Sequence, residues 1–184
     1  LILIKNRLMK LLKFIFFLCV VTSITSCSDD ETAPKFPLSS ANLVGNYEMN
    51  NLETQVSEDA TSSSGATVNL TNTSTIGDTF QLDFVLNTDG TYTAFGKYRT
   101  VSTIIPNGGT PSEESDIIII DATGSYQLNS DNTISFNPQT GDFFDGIFTI
   151  KTFNETSVIL SQDQEEVQGN TSFTAKVTVG FIRA

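Results

Sequence analysis

The residues able to do chemistry in this 184-residue chain are few, and their types narrow the choice. Two thiols, Cys19 and Cys27, stand near the start, and carboxylates supply most of the rest. Glu113, Glu114 and Asp116 fall together, Asp142 and Asp145 flank Phe143-Phe144, and Asp89 precedes Gly90. Histidine is wholly absent, which excludes Ser-His-Asp triads, Cys-His dyads, His-bearing zinc sites and imidazole general bases. What survives is carboxylate chemistry, such as paired acids flanking a glycosidic bond, or a hard cation held by oxygen ligands. Neither pattern is met. The Asp-rich turns lack the Asp-x-Asp-x-Asp-Gly spacing that wraps calcium, and turns favour Asp and Asn for their own backbone hydrogen bonds. Glu113, Glu114 and Asp116 would make a catalytic pair only in a cleft that raised the pKa of one of them. The chain therefore reads as non-catalytic, with no cofactor and no metal.

Cys27 is the exception, because its surroundings give its thiol a task. Lys10 and Lys13 precede the apolar run from Phe14 to Val21, a basic and then hydrophobic succession of the length secretory signals use. The run ends at Thr22-Ser23, short of the roughly 20 apolar residues a membrane-crossing helix needs. The chain opens on Leu1, and Met9-Lys10-Leu11-Leu12-Lys13 reads as the true start. Ile24-Thr25-Ser26-Cys27 resembles a bacterial lipobox. That resemblance implies cleavage before Cys27, a diacylglycerol on its sulfur and acylation, palmitate for example, of its new amine; two or more acyl chains anchor a protein stably where one does not. Ser28-Asp29-Asp30-Glu31 resembles the acidic signal that Bacteroidota-type lipoproteins carry for export to the cell surface. Residues 1–26 are thus expected to be a signal peptide and 27–42 a lipidated tether containing Pro34 and Pro37, with outer-membrane location and surface exposure to follow.

Removing the signal removes Lys5, Arg7, Lys10 and Lys13. Six of the ten basic residues then face all 21 acidic ones, a formal balance of −15. Nucleic acid is excluded as a partner on that balance. The mature domain keeps neither a disulfide nor a free thiol, so packing must hold it together. Some 140 residues suffice for one core and one domain, 43–184. The absence of tryptophan weakens a carbohydrate-binding reading, with Tyr92, Tyr98 and Tyr126 as the available substitutes.

The elements that position these residues are strands. Phe80, Leu82, Phe84 and Leu86 alternate with polar neighbours, as do Tyr92, Ala94, Gly96 and Tyr98, and Asn87-Thr88-Asp89-Gly90 between them is a hairpin turn. Further strands are expected at Val44–Met49, Gly124–Leu128, Thr133–Phe136, Gly146–Phe153, Ser157–Ser161 and Phe173–Phe181, with Ile117–Ile120 as either an edge or a fully buried strand. Two segments break the rhythm and read as long loops: Ser57–Thr75, with Thr67–Leu70 as a short strand inside it, and Pro106–Ser115.

Leu43-Val44-Gly45-Asn46-Tyr47 resembles the Leu-Val-Gly-x-Trp strand that opens the lipocalin-like domain of Bacteroidota-type lipoproteins. In order after it, Phe84 to Tyr92 resembles the family's hairpin, Gly124-Ser125-Tyr126 its Gly-x-Tyr strand, and Phe148-Thr149-Ile150 with Val158-Ile159-Leu160 its next hairpin. The resemblance implies an all-β, antiparallel up-and-down barrel of eight to ten strands, with Gly45, Tyr47 and Arg183 as structural residues and Arg183 stacked on Tyr47. Alternation then turns Phe80, Leu82, Phe84, Tyr92, Ala94, Tyr98, Phe148, Ile150, Phe173, Ala175 and Val177 inward. Phe84, Tyr92, Ala94, Tyr98, Phe148 and Ala175 are the candidates for holding a small apolar ligand, if the interior is hollow. A barrel filled by its own side chains points instead to a structural or partner-binding surface module, an accessory of an outer-membrane protein complex.

Overall fold

The computed structural model describes residues 36–184. The signal peptide, the lipobox residues Ile24, Thr25 and Ser26, the acylation site Cys27 and the acidic Ser28–Glu31 lie outside the described residues.

Alternating apolar and polar side chains, broken by turns rich in Asn, Asp and Gly, build eight strands. They run β1 (Gly45–Thr61), β2 (Thr67–Leu86), β3 (Thr91–Pro106), β4 (Ser112–Leu128), β5 (Thr133–Thr140), β6 (Gly146–Phe153), β7 (Ser157–Gln168) and β8 (Thr171–Arg183). Each pairs antiparallel with the next, and β8 returns to β1, which closes an up-and-down barrel. A single turn of helix, α1 (Ser40–Leu43), precedes β1, its first turn capped by the Ser39 hydroxyl, which accepts from the Asn42 N–H at 3.2 Å.

Closure extends over only part of the strands' length. β5 and β6 have eight residues each, while the other six strands have twelve to twenty. Pairing of β4 with β5 begins at Thr123, and pairing of β6 with β7 stops at Ser161. Beyond those points Ser112–Ala122 is laddered to β3 alone and Gln162–Gln168 to β8 alone. The six long strands thus continue as an open sheet past the closed ring.

This extension overturns the reading of Ser57–Thr75 and Pro106–Ser115 as long loops. Most of the first segment and half of the second are strand, and the connections shrink to short turns around Gly65 and Gly108. Thr67–Leu70 is the start of β2 and not a separate short strand. The physical reason is that Thr and Ser satisfy β geometry without an apolar face. In β1 and β2 both backbone edges find ladder partners in any case. Ile117–Ile120 lies on the unpaired side of β4 and alternates, with Ile117 64% and Ile119 77% exposed and Ile120 buried. It is an edge segment, not a fully buried one.

Inside the closed ring the core is aromatic and full. Phe84 is its hub, with ring centroids of Phe181 at 4.9 Å, Phe144 at 5.4 Å, Tyr92 at 5.9 Å and Phe136 at 6.1 Å. Phe136 stacks on Phe144 at 4.7 Å. Leu82, Ala94, Phe148 and Ile150 are buried with them, while Phe80, Tyr98 and Val177 are half-buried against the cluster. Phe173 and Ala175 sit farther out, on the open extension, and lie outside the core. Close approach of β2 to β3 depends on Gly96. Its φ of +141° disfavours other residues, and a Cβ there would run into the backbone of Gln81 and Leu82. The outer wall carries Glu48, Asp83, Lys97, Asp121 and Lys176, all exposed.

Truncating the hub, Phe84→Ala, should lower unfolding free energy by about 3–5 kcal/mol. A urea titration followed by circular dichroism reads this as an earlier midpoint, and an unchanged midpoint would show that the ring cluster does not bear the fold.

Candidate functional site

Two places bring predicted residues together. The first is the closed end. Arg183, last residue of β8, pairs with Tyr47 of β1, and its guanidinium carbon lies 4.9 Å from the Tyr47 ring centroid and 5.8 Å from that of Phe36. It donates to the Val44 carbonyl at 2.9 Å, the Asn42 carbonyl at 2.5 Å and the Tyr47 hydroxyl at 2.8 Å. Tyr47 in turn donates to the Leu43 carbonyl at 2.7 Å. Gly45 is extended, and it is glycine for want of room: a Cβ would stand 2.5 Å from Arg183 Nη1. These contacts tie α1 and the entering chain over the barrel bottom, an assembly with a stapling role, in which the Arg183 Nε is buried without a hydrogen-bond partner among the described residues.

The second is a trough of about 450 Å³ where the closed ring gives way to the open sheet. Its floor is apolar, made by Met49, Leu52, Ile120, Phe148 and Val179, all buried. Tyr98, Ile118 and Val177 form the walls, and hydroxyls and amides from Thr54, Thr75, Thr100, Gln162 and Gln164 line the upper part. Between the short strands β5 and β6 the connection Gly141–Asp145 crosses this mouth. It sends the buried Phe144 down into the aromatic cluster and keeps Phe143 half-buried above it, 4.3 Å away centroid to centroid. Asp142 and Asp145 stay exposed at the rim. The Gln162 amide holds the loop by donating to the Asp145 carbonyl at 2.9 Å.

Of the six residues singled out for ligand contact, Tyr98 and Phe148 line this trough. Phe84, Tyr92 and Ala94 are committed to the packed core below it. Ala175 instead borders a depression of about 650 Å³ on the extension, walled chiefly by polar side chains such as Gln55, Ser57, Asn72 and Thr174. That depression is larger and is not devoid of apolar surface, but it lies on the open extension away from the buried core residues that floor the trough, and one of its hydroxyls, that of Ser57, already accepts from the Asn69 amide at 2.8 Å. The floor residues Met49 and Leu52, and the plug Phe143-Phe144, were missed by reasoning from the sequence. Alternation in β1 pointed to the first two, whereas nothing local marks a turn as the one that folds back into the barrel.

The carboxylates weighed for chemistry are placed apart. Glu113 and Glu114 point to opposite faces of β4 by alternation. Asp89 serves its own turn, accepting from the Thr91 N–H at 3.0 Å and hydroxyl at 2.7 Å, bonds that hold its carboxyl below the usual range. Among the described residues, no group of three or more His, Cys, Asp or Glu side chains is disposed to hold a metal ion.

No protein-family model matches the chain, and no curated protein does. Among solved structures, Ail, the attachment invasion locus protein of Yersinia pestis, aligns over 77% of this chain and all of its own, with 8% identity and a TM-score of 0.23. A likeness at that score carries no argument about this chain.

All four tyrosines have phenols held above their ordinary pKa. Burial is the leading cause at Tyr47, Tyr92, Tyr98 and Tyr126, partly offset at Tyr47 by Arg183. The folded state therefore keeps these protons where the unfolded chain, with pKa near ~10, releases them. Stability from the neutral phenols should be fully present below that value and be lost as pH rises through the folded values. Tyrosinate absorbance and loss of β-sheet ellipticity should climb together in an alkaline titration; ionisation at an ordinary pKa with the fold intact would contradict the burial.

Proposed function

We propose that this protein is an outer-membrane lipoprotein, acylated on Cys27 and displayed at the cell surface through Ser28–Glu31, whose lipocalin-like barrel acts non-catalytically by binding a small apolar molecule. The observation that carries the binding half is the apolar-floored trough above an otherwise filled core. Its volume falls within the roughly 300–1,000 Å³ of small-molecule sites. The anchoring half rests on the lipobox resemblance of Ile24–Cys27, and two features of the barrel support it. Within the closed ring the core side chains point inward and the outer wall carries Glu48, Asp83, Lys97 and Asp121, unlike a wall that sits in hydrocarbon, so membrane attachment calls for lipid. The described chain begins at Phe36 against Phe153 and Arg183, at the end of the barrel opposite the trough.

A second reading, the partner-binding surface module, is favoured by one observation. Phe95, Ile117 and Ile119 lie exposed on the outer wall, beside the stretch of β4 that β5 does not cover.

Native mass spectrometry of the protein extracted from its own membrane should show a co-purifying small molecule. Val177→Phe, which fills the trough from β8, should reduce its occupancy at least about tenfold without lowering the melting temperature. A clean apo mass for both proteins would remove the ligand-binding reading, and loss of a co-purifying membrane protein on Ile119→Asp would put the module in its place. Radiolabelled palmitate should attach to the wild type and not to Cys27→Ala; failure to label the wild type would remove the anchor.

A further inference from the structure

The sign of charge around the trough is one-sided, and strand register shows why. Directly paired residues in an antiparallel sheet project to the same face. Thr100 lines the trough and pairs with Asp116, and its next neighbour on that face, Ser102, pairs with Glu114. On β7, Gln162 and Gln164 line the trough, and Glu166 continues their face. The loop across the mouth adds Asp142 and Asp145. Five carboxylates therefore stand on the walls or rim.

No cation of the described residues joins them. Lys97 and Arg99 flank Tyr98 and so project from the other side of β3, where Arg99 is held by Asp78 in a 2.5 Å ion pair. Lys176 lies between Ala175 and Val177 and faces out in the same way. Lys151 is exposed beside the buried Ile150. Arg183 is spent on Tyr47 at the opposite end of the barrel. A fatty acid placed in this trough would bring its carboxylate to a rim of like charge; an alkyl amine would bring an ammonium to it.

Resting on the proposed small-molecule binding, we propose that the ligand is a cationic amphiphile. Its single apolar tail lies over Met49, Leu52 and Phe148, and its protonated amine stands at the mouth between Asp142, Asp145 and Asp116. Opposite charge at the head and apolar contact at the tail are separate recognition elements, so each can be varied alone. Because the rim is exposed, the head preference is screened by salt, while the tail contribution is not.

The test uses the intact lipoprotein in phosphatidylcholine nanodiscs with three photoactivatable probes that share a decyl tail and end in an amine, an alcohol or a carboxylate, the adducts being mapped by peptide mass spectrometry. The amine is expected to label trough peptides of β1, β3 and β8 at least about tenfold more than the carboxylate. Raised salt should narrow that ratio, and the exposed-loop double variant Asp142→Asn, Asp145→Asn should bring it towards unity. Equal or greater labelling by the alcohol or the carboxylate, or an amine preference untouched in the double variant, would overturn the cationic head and leave apolar binding standing. Absence of trough labelling by all three would overturn both.

Discussion

Inequality of strand length is the constraint from which the rest of this architecture follows. A ring of strands can satisfy its backbone hydrogen bonds only as far as its shortest members reach, and β5 and β6 reach eight residues. Over that span the sheet is closed and its inner face is sealed from water on every side. Past it β4 and β7 lose their neighbours, the wall opens, and the inward face of the six remaining strands changes from apolar to hydroxyl and amide.

The loop joining the two short strands lines the trough that this mismatch opens. Phe143 and Phe144 occupy the gap that missing strand length leaves, and Phe144 completes the aromatic cluster around Phe84 and Phe136. The same loop delivers Asp142 and Asp145 to the rim of the trough. One loop thereby serves both regions: the residues that complete the core also line the trough. At the other end Arg183 performs a comparable closure, bonding three oxygens and stacking on Tyr47.

Alternation also decides which charges face the trough. Alternation places Lys97, Arg99 and Lys176 on the outer wall and Glu114, Asp116 and Glu166 on the trough's side. Among the described residues, the cations Lys97, Arg99 and Lys176 thus stand where they cannot neutralise the mouth. Phe95, Ile117 and Ile119 are among several large apolar residues exposed on the barrel, and they adjoin an unpaired strand edge, the kind of feature natural sheets usually blunt with charge or proline.

Much of the barrel was legible before any coordinates. Period-two alternation in Phe80–Leu86 and Tyr92–Tyr98, and turns at Asn87–Gly90 and Asn129–Asn132, depend on neighbours in sequence, and they specified an antiparallel all-β chain. Composition alone excluded histidine chemistry, and a cysteine behind Ile24-Thr25-Ser26 pointed to lipid. Ser57–Thr75 misled because Thr- and Ser-rich strands paired on both edges need no apolar face and so leave no periodic signal. Where the ring closes, which of the inward residues are core and which line a cavity, and that Gly141–Asp145 folds back into the mouth were decided only by tertiary structure. Each of these depends on how far one strand's partner extends, a relation between residues distant in sequence that no local pattern encodes.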